Sequence, residues 1–330
     1  MFRKIALLSV LLGLCVVVLG AYVRLSHAGL GCPDWPGCYG HLVGVPELSE
    51  EIDQANQAFP ERAVETGKAW KEMIHRYFAG ILGLLILLLA IMAIKNRKDS
   101  NQPVWLPVIL VGLVIFQALL GMWTVTLLLK PIIVMMHLIG GLTIVALLWW
   151  LVLQSSRQPS SVSSSSGKGI LVLGLILLIG QIGLGGWTST NYAALACPDF
   201  PTCQGEWWPE TDFKEGFVFW RGLDQNYEFG VLDNPARTAI HLSHRLFAIV
   251  VGLFWLSLLL KILANKKSSS NFRQVAVVTL ILLFAQIALG ISNIVLHLPI
   301  SVAVMHNGGA ALLLLSVVTL IYYSKYEYSG

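Results

Sequence analysis

The sequence is poor in charge. Only 12% of its 330 residues are Asp, Glu, Lys or Arg, and 56% are hydrophobic. A soluble globular domain carries about 25% charged residues, so this chain must keep most of its length out of water. Apolar runs long enough to cross a hydrocarbon core recur along it. They predict an all-α integral membrane protein with eight transmembrane helices, at roughly 5–23, 72–94, 104–127, 132–153, 169–189, 238–263, 274–296 and 301–322.

Several motifs that would indicate other functions are also missing. The chain has no Cys-x-x-Cys pair, which a membrane protein that oxidises client thiols would need. Its apolar runs lack the Gly/Pro-interrupted midplane segments of secondary transporters. Neither of its two cysteine clusters supplies four ligands for a structural metal ion. These absences argue against a thiol oxidase, a transporter and a structural zinc protein.

The charges that are present have an uneven distribution. If the N-terminus is cytoplasmic, the inner segments hold twelve Lys and Arg residues against only Asp99 and Glu327. Most other carboxylates fall in two long outer loops. Short basic loops mark the cytoplasmic side of a membrane, so both termini are predicted to be cytoplasmic. The net charge of +4 follows from this topology and does not indicate a nucleic-acid partner.

An internal repeat divides the chain. The stretch from Glu72 to Arg76 returns 169 residues later as His241 to Arg245, and the same shift carries His137 onto His306. We therefore predict two pseudo-symmetric four-helix bundles, at 1–154 and 169–330, joined by a Ser-rich cytoplasmic linker at 155–168. Because each unit has an even number of helices, the two units have parallel orientations.

Four of the five cysteines lie in two matching loops. Cys32–Cys38 reads C-P-D-W-P-G-C and Cys197–Cys203 reads C-P-D-F-P-T-C, both on the predicted outer face. Each pair can close a disulfide, Cys32 with Cys38 and Cys197 with Cys203, on an oxidising side of the membrane. Such a bridge would either staple a long loop over the membrane domain or act as a redox-active pair. Cys15 is interpreted as a packing residue of the first helix.

Four histidines are predicted to lie at one depth. His75, His137, His244 and His306 each follow the start of a helix that enters from the outer side by about five residues. Two facing imidazoles are what a haem iron needs on its axis, and neither half offers an obvious third ligand for zinc or copper. A single membrane histidine can simply bind a neighbouring helix, but four in a repeated pattern favour iron ligands.

The two halves differ at one position. Glu72 lies on the same helical face as His75, where a carboxylate can move protons or stabilise positive charge, and its counterpart is His241. We therefore predict a reactive first half and an electron-carrying second half. His241 could compete with His244 as a ligand, although the repeat favours His244. The arginines near the outer helix ends are candidate partners for haem propionates, or else snorkel to the headgroups: Arg24, Arg76 and Arg245.

Together these residues resemble the haem A synthase family over essentially the whole chain, in the subset with paired cysteines. The resemblance is carried by Gly20–Leu25 (G-A-Y-V-R-L), both cysteine loops, Glu72-x-x-His75-Arg76, His137, Pro235–Thr238 (P-A-R-T), His244-Arg245 and His306. It implies an inner-membrane oxidoreductase that turns the C8 methyl of haem O into a formyl by successive hydroxylations, giving haem A for cytochrome oxidase. It also implies that His75 and His137 bracket haem O while Glu72 assists the chemistry.

The resemblance assigns the second half to a haem b cofactor held by His244 and His306. It gives a redox role to Cys32 and Cys38, and a structural role to Cys197 and Cys203. Membrane lipid, haem O synthase and cytochrome oxidase assembly factors are its candidate partners. The alternative function is a bis-histidine membrane cytochrome b that exchanges electrons with quinone. The exchange of Glu72 for His241 argues against it, because two carrier haems would not need one carboxylate.

Overall fold

A computed structural model describes residues 1–98, 103–155, 168–223 and 225–324, and within them the chain forms helices and no β-strand. Eight of these helices are long and apolar enough to span a membrane, which confirms the predicted class and the predicted number of spans. The elements are α1 (Phe2–Leu25), α2 (Ser49–Ala58), α3 (Thr66–Lys95), α4 (Trp105–Thr126), α5 (Pro131–Gln154), α6 (Lys168–Thr190), α7 (Phe213–Gly216), α8 (Asn234–Ala264), α9 (Ser270–Val295) and α10 (Ile300–Tyr323). The short helices α2 and α7 lie in the two long loops.

Two spanning helices begin earlier than their apolar runs. Helix α3 starts at Thr66 and α8 at Asn234, where the Asp233 side chain accepts a hydrogen bond from the Ala236 amide and caps the helix. His75 is therefore the tenth residue of α3 and His244 the eleventh of α8. The prediction that they lie about five residues from the helix start was wrong, because hydropathy does not detect polar helix ends.

The helices pack in the same order in both halves. In the first half α1 and α4 each pack against α3 and α5, and in the second half α6 and α9 each pack against α8 and α10. The halves meet where α1 contacts α10, α5 contacts α6 and α5 contacts α10. Exchanging each helix with its repeat counterpart leaves this set of contacts unchanged. The packing thus supports the division at 1–154 and 169–330, which stays a prediction, as do the cytoplasmic termini; residues 156–167 of the predicted linker lie outside the described residues.

Apolar clusters fill the bundles on the side of the histidines away from the long loops. In the first half the cluster includes Ile86, Leu89 and Leu148, and in the second half it includes Trp255 and Leu259. The Trp255 indole donates to the backbone oxygen of Gly174 at 3.2 Å, so its polar group is satisfied inside the membrane. Because the cores occupy these parts of the helices, the histidines lie at the loop-bearing ends of the bundles.

The long loop of the second half lies over the outer turn of the first. The Tyr227 amide donates to the backbone oxygen of Leu128 at 3.0 Å, and the buried Lys130 ammonium sits 3.5 Å from the centre of the Trp220 ring. Arg62 pairs with Glu228 at 3.0 Å. The first long loop contains helix α2. The loops therefore tie the two halves together above the histidines.

Candidate functional site

The four histidines form two pairs. His137 lies within electrostatic range of His75, and His244 within range of His306. Each pair joins diagonal helices of its bundle, α3 with α5 and α8 with α10, because α1 and α4 (or α6 and α9) pack between them. All four histidines are partly buried residues. Because the members of each pair are on diagonal helices, one imidazole could approach a flat group from each side.

A glycine on the neighbouring helix lies against the edge of each histidine ring. A Cβ atom added to the glycine would be 3.0 to 3.2 Å from the ring atom Cε1, tighter than ordinary van der Waals contact. The pairs are Gly20 with His75, Gly121 with His137, Gly185 with His244 and Gly290 with His306. These four glycines are on α1, α4, α6 and α9.

A glutamine four residues before the glycine holds three of the four histidines. The Gln117 amide donates to the backbone oxygen of His137 at 2.5 Å and lies 3.0 Å from its Nδ1. Gln181 makes the same two contacts with His244 at 3.1 and 3.0 Å. Gln286 donates to the backbone oxygen of His306 at 3.0 Å and lies 3.4 Å from its Nε2. These glutamines orient the rings, since a restrained imidazole presents one defined nitrogen to a ligand.

The contact of Gln181 with His244 was not predicted from the sequence, because the spacing between equivalent residues of the two halves is not constant along the chain. The histidines repeat after 169 residues, but the first helices and cysteine loops repeat after 165, as Cys32 and Cys197 show. With the shorter shift, Gln181 aligns with Val16, and Gly185 with Gly20. His75 is therefore the one histidine of the four whose equivalent position carries no glutamine.

Glu72 and His241 occupy the same place and make the same contact. The Glu72 carboxylate accepts from the Cys32 amide at 3.0 Å and pairs with Arg76 at 2.5 Å. In the second half, Nδ1 of His241 accepts from the Cys197 amide at 3.2 Å. Both residues are buried, and both anchor a cysteine loop to its helix. His241 therefore binds the second cysteine loop, on the outer side of His244.

The three arginines bind backbone oxygens. Nη1 of Arg76 donates to the oxygens of Asp34, Pro36 and Gly37, the last at 2.6 Å. Arg245 donates to the oxygens of Cys197, Asp199 and Thr202, each at 2.8 Å. Arg24 donates to the Ser189 oxygen at 2.7 Å and stacks on Tyr192, but its Nε has no partner. The propionate role of these arginines stays a prediction, and Arg24 has the donor free for it.

Both predicted disulfides are closed, Cys32 with Cys38 and Cys197 with Cys203. Each loop is ordered by its aspartate, since Asp34 accepts from the amides of Tyr39 and Gly40 and Asp199 from those of Gln204 and Gly205. The Thr202 hydroxyl, together with these amides, holds the pKa of Asp199 below its usual value. Cys15 is exposed on α1, so its interpretation as a packing residue was wrong.

The polar atoms inside the bundles fit a haem better than a small metal ion. Among the described residues, no three His, Cys, Asp or Glu side chains gather as a metal site would need. The buried atoms without a hydrogen-bond partner of normal geometry include Nδ1 of His75, Nδ1 of His306 and the amide oxygens of Gln117, Gln181 and Gln286. Unpaired polar groups inside a membrane are costly. Two opposed imidazoles per bundle match the axial ligands of a haem iron.

We expect Gly185→Ala to weaken the binding of haem to the second half. The added methyl would meet the His244 ring at 3.1 Å and push it away from the bundle centre, at a cost of roughly 1–3 kcal/mol. Gly183→Ala is the matched control on the same helix, because its methyl meets only Ile139, at 3.8 Å. The measurement is haem content per purified protein for the two variants. Equal losses from both would show that the contact with His244 is unimportant.

Comparisons with known proteins cover nearly the whole chain. A family model described as "Cytochrome oxidase assembly protein" matches residues 3–318. A protein of Shewanella oneidensis named Heme A synthase is 46% identical over 320 residues, which are 96% of this chain and 94% of that protein. Proteins of the same name from Shouchella clausii and Caulobacter vibrioides are each 26% identical, over 97% and 91% of this chain and 95% and 89% of their own lengths. The matched regions contain all four histidines and both cysteine loops.

Proposed function

The chain belongs to the COX15-CtaA family of cytochrome oxidase assembly proteins, and on this premise we propose that it is a haem A synthase. It is a multi-pass protein of the bacterial inner membrane and an oxidoreductase that converts haem O to haem A. The observation that carries the proposal is the pairing of four histidines in two bundles, of which only the first has a carboxylate, Glu72, at its loop anchor.

The first half, 1–154, is proposed to bind the substrate haem O between His75 and His137. The C8 methyl is oxidised in two hydroxylations, and the resulting gem-diol loses water to leave the formyl group. Glu72 lies one helical turn from His75, where its carboxylate, paired with Arg76, can accept or return a proton. Gln117 fixes the ring of His137, so that this ligand keeps one orientation through both oxidations.

The second half, 169–330, is proposed to hold a resident haem b through His244 and His306. When bound, this haem would supply one-electron transfer for the oxidation of the substrate. Gln181 and Gln286 support the assignment, because they restrain both ligands of this half. A restrained pair of ligands suits an electron carrier, whose iron keeps its coordination when it changes charge.

Arg24 is the proposed propionate partner, because its Nε is buried without a partner at the end of α1. Arg76 and Arg245 would reach a propionate only alongside the loop oxygens that they already bind. Haem O synthase and cytochrome oxidase assembly factors are the proposed protein partners, since a lipid-soluble haem must pass between membrane proteins without entering water. Membrane lipid surrounds the spanning helices.

The competing function is a bis-histidine cytochrome b that exchanges electrons with quinone. It would use both haem sites as carriers and would need no difference between the halves. The halves differ both at Glu72 and at Val16, and both differences fall beside His75. This concentration of differences around one histidine favours the enzyme.

The test is to express the chain together with a haem O synthase and to extract the haems from the membranes. We expect haem A to appear, and membranes without the chain to contain haem O but no haem A. Haem O that persists unchanged, although the purified chain carries two bound haems, would support the cytochrome b instead. The measurement is chromatographic separation of extracted haems, with the His75→Ala, His137→Ala double variant as the inactive control.

A further inference from the structure

Val16 occupies the place of a glutamine that the other three histidine sites share. Gln117, Gln181 and Gln286 each stand four residues before the glycine that contacts their histidine, and Val16 stands four residues before Gly20. In each of the three, the amide bridges the backbone oxygen and a ring nitrogen of one histidine. The backbone oxygen of Val16 is within hydrogen-bonding reach of the His75 ring, but the valine side chain can neither donate nor accept, so His75 alone lacks the side-chain restraint.

The missing contact has a physical consequence for the His75 ring. An imidazole with one ring nitrogen hydrogen-bonded to a glutamine amide cannot make a half-turn about its Cβ–Cγ bond without losing that hydrogen bond, because the half-turn puts a ring carbon where the nitrogen was. This holds for either tautomer, since the amide can present its oxygen or its nitrogen to the ring. Nδ1 of His75 is buried without a hydrogen bond of normal geometry, and position 16 offers the ring only the backbone oxygen of Val16. Nδ1 of His306 is also without such a bond, but Gln286 contacts that ring at Nε2. The polar residues nearest to His75 on its own helix are occupied elsewhere, since Glu72 binds Cys32 and Arg76 binds the loop oxygens.

We propose that Val16 makes His75 the exchangeable ligand of the substrate site, while Gln117 keeps His137 in place. The inference rests on the proposed function, in which haem O must enter this site and haem A must leave it at every turnover. A site that exchanges its haem needs at least one axial ligand that can dissociate from the iron. The resident haem of the second half does not leave, and both of its ligands are restrained. Val16 is thus a positioning residue that acts through His75.

The test uses carbon monoxide, which binds ferrous haem only when an axial ligand has moved aside. In the reduced protein loaded with haem O, we expect Val16→Gln to slow carbon monoxide association at the substrate haem by about two- to tenfold, the effect of one added hydrogen bond. The contact between Gln181 and His244 shows that the equivalent helix pair of the second half, α6 and α8, accommodates a glutamine. Val16→Leu is the apolar control and should associate at the unaltered rate.

The reciprocal change is made in the second half. Gln181→Val removes the restraint from His244 and should make the resident haem reactive with carbon monoxide, by a similar factor. This variant replaces a polar residue by an apolar one in a membrane helix, which favours insertion. The carbon monoxide measurement on Gln181→Val therefore tests the inference even if Val16→Gln does not fold. Unchanged association rates in Gln181→Val, or equal rates in Val16→Gln and Val16→Leu, would overturn the inference.

Haem content separates this outcome from a failure of the proposed function. If the purified chain carries no haem in either half, the histidine pairs are not haem sites and both proposals fall. If it carries both haems and makes haem A, but the Val16 and Gln181 variants behave as the parent chain does, only the role of Val16 is wrong. We also expect Val16→Gln to retain haem A after turnover, because its release requires the exchange of His75.

Discussion

Replacing Glu72 with histidine is expected to abolish haem A formation while the first cysteine loop stays anchored. The second half provides the precedent, because His241 accepts from the Cys197 amide in the position where Glu72 accepts from the Cys32 amide. Histidine at 72 can thus keep the loop contact but supplies no carboxylate. General acid–base catalysis contributes about 10²–10⁴-fold to a rate, so the loss should bring haem A below detection in extracted membranes.

Three companion variants separate the chemistry of Glu72 from its structural role. Glu72→Ala removes the loop contact as well and leaves Arg76 without its carboxylate, at a cost of about 3 kcal/mol in stability. Glu72→Gln keeps the hydrogen-bonding shape without the charge and should also be inactive. His241→Glu should leave haem A formation intact, since that site anchors only the second loop. If Glu72→His still makes haem A, the residue anchors the loop and takes no part in the oxidation.

Loss of a histidine is expected to stop haem A formation in either half, but to remove haem b only when the histidine lies in the second half. His244→Ala or His306→Ala should remove the haem b proposed for the second half from the purified protein. Loss of a residue that only supports a metal ligand lowers metal affinity roughly 10–100-fold, and loss of the iron ligand itself should lower it further. Electron transfer fails without this haem, so haem A formation stops. His75→Ala or His137→Ala should also stop haem A formation, yet leave haem b and its bis-histidine spectrum unaltered.

The measurement is haem content by extraction, together with the absorption spectrum of the reduced protein. His297→Asn is a suitable control, because His297 is exposed in the outer turn between α9 and α10 and asparagine tolerates its positive φ of 56°. Added imidazole should restore the spectrum of His244→Ala if the defect is only a missing ligand. Loss of haem b from the His75 and His137 variants would contradict the assignment of haem b to the second half.

Much of the architecture could be predicted from local sequence signals. The eight spans follow from hydropathy, because the hydrocarbon core imposes a minimum length on every apolar run. The disulfides follow from the short spacing of Cys32 and Cys38 and of their counterparts on an oxidising face. The predicted distance of His75 and His244 from the helix start was wrong, since hydropathy does not detect the polar first turns of α3 and α8, which begin at Thr66 and Asn234.

The sequence by itself determined the class of protein, its family and the four histidines, because composition, a repeat and motif spacing are properties of the chain. Only the tertiary structure showed that Glu72 and His241 are equivalent loop anchors and that the arginines bind loop oxygens. It also showed that a glutamine contacts three of the four paired histidines but not His75. These contacts join residues on different helices, some more than 60 positions apart, such as Gln181 and His244. Helix packing decides such contacts, and no local pattern records which faces will meet.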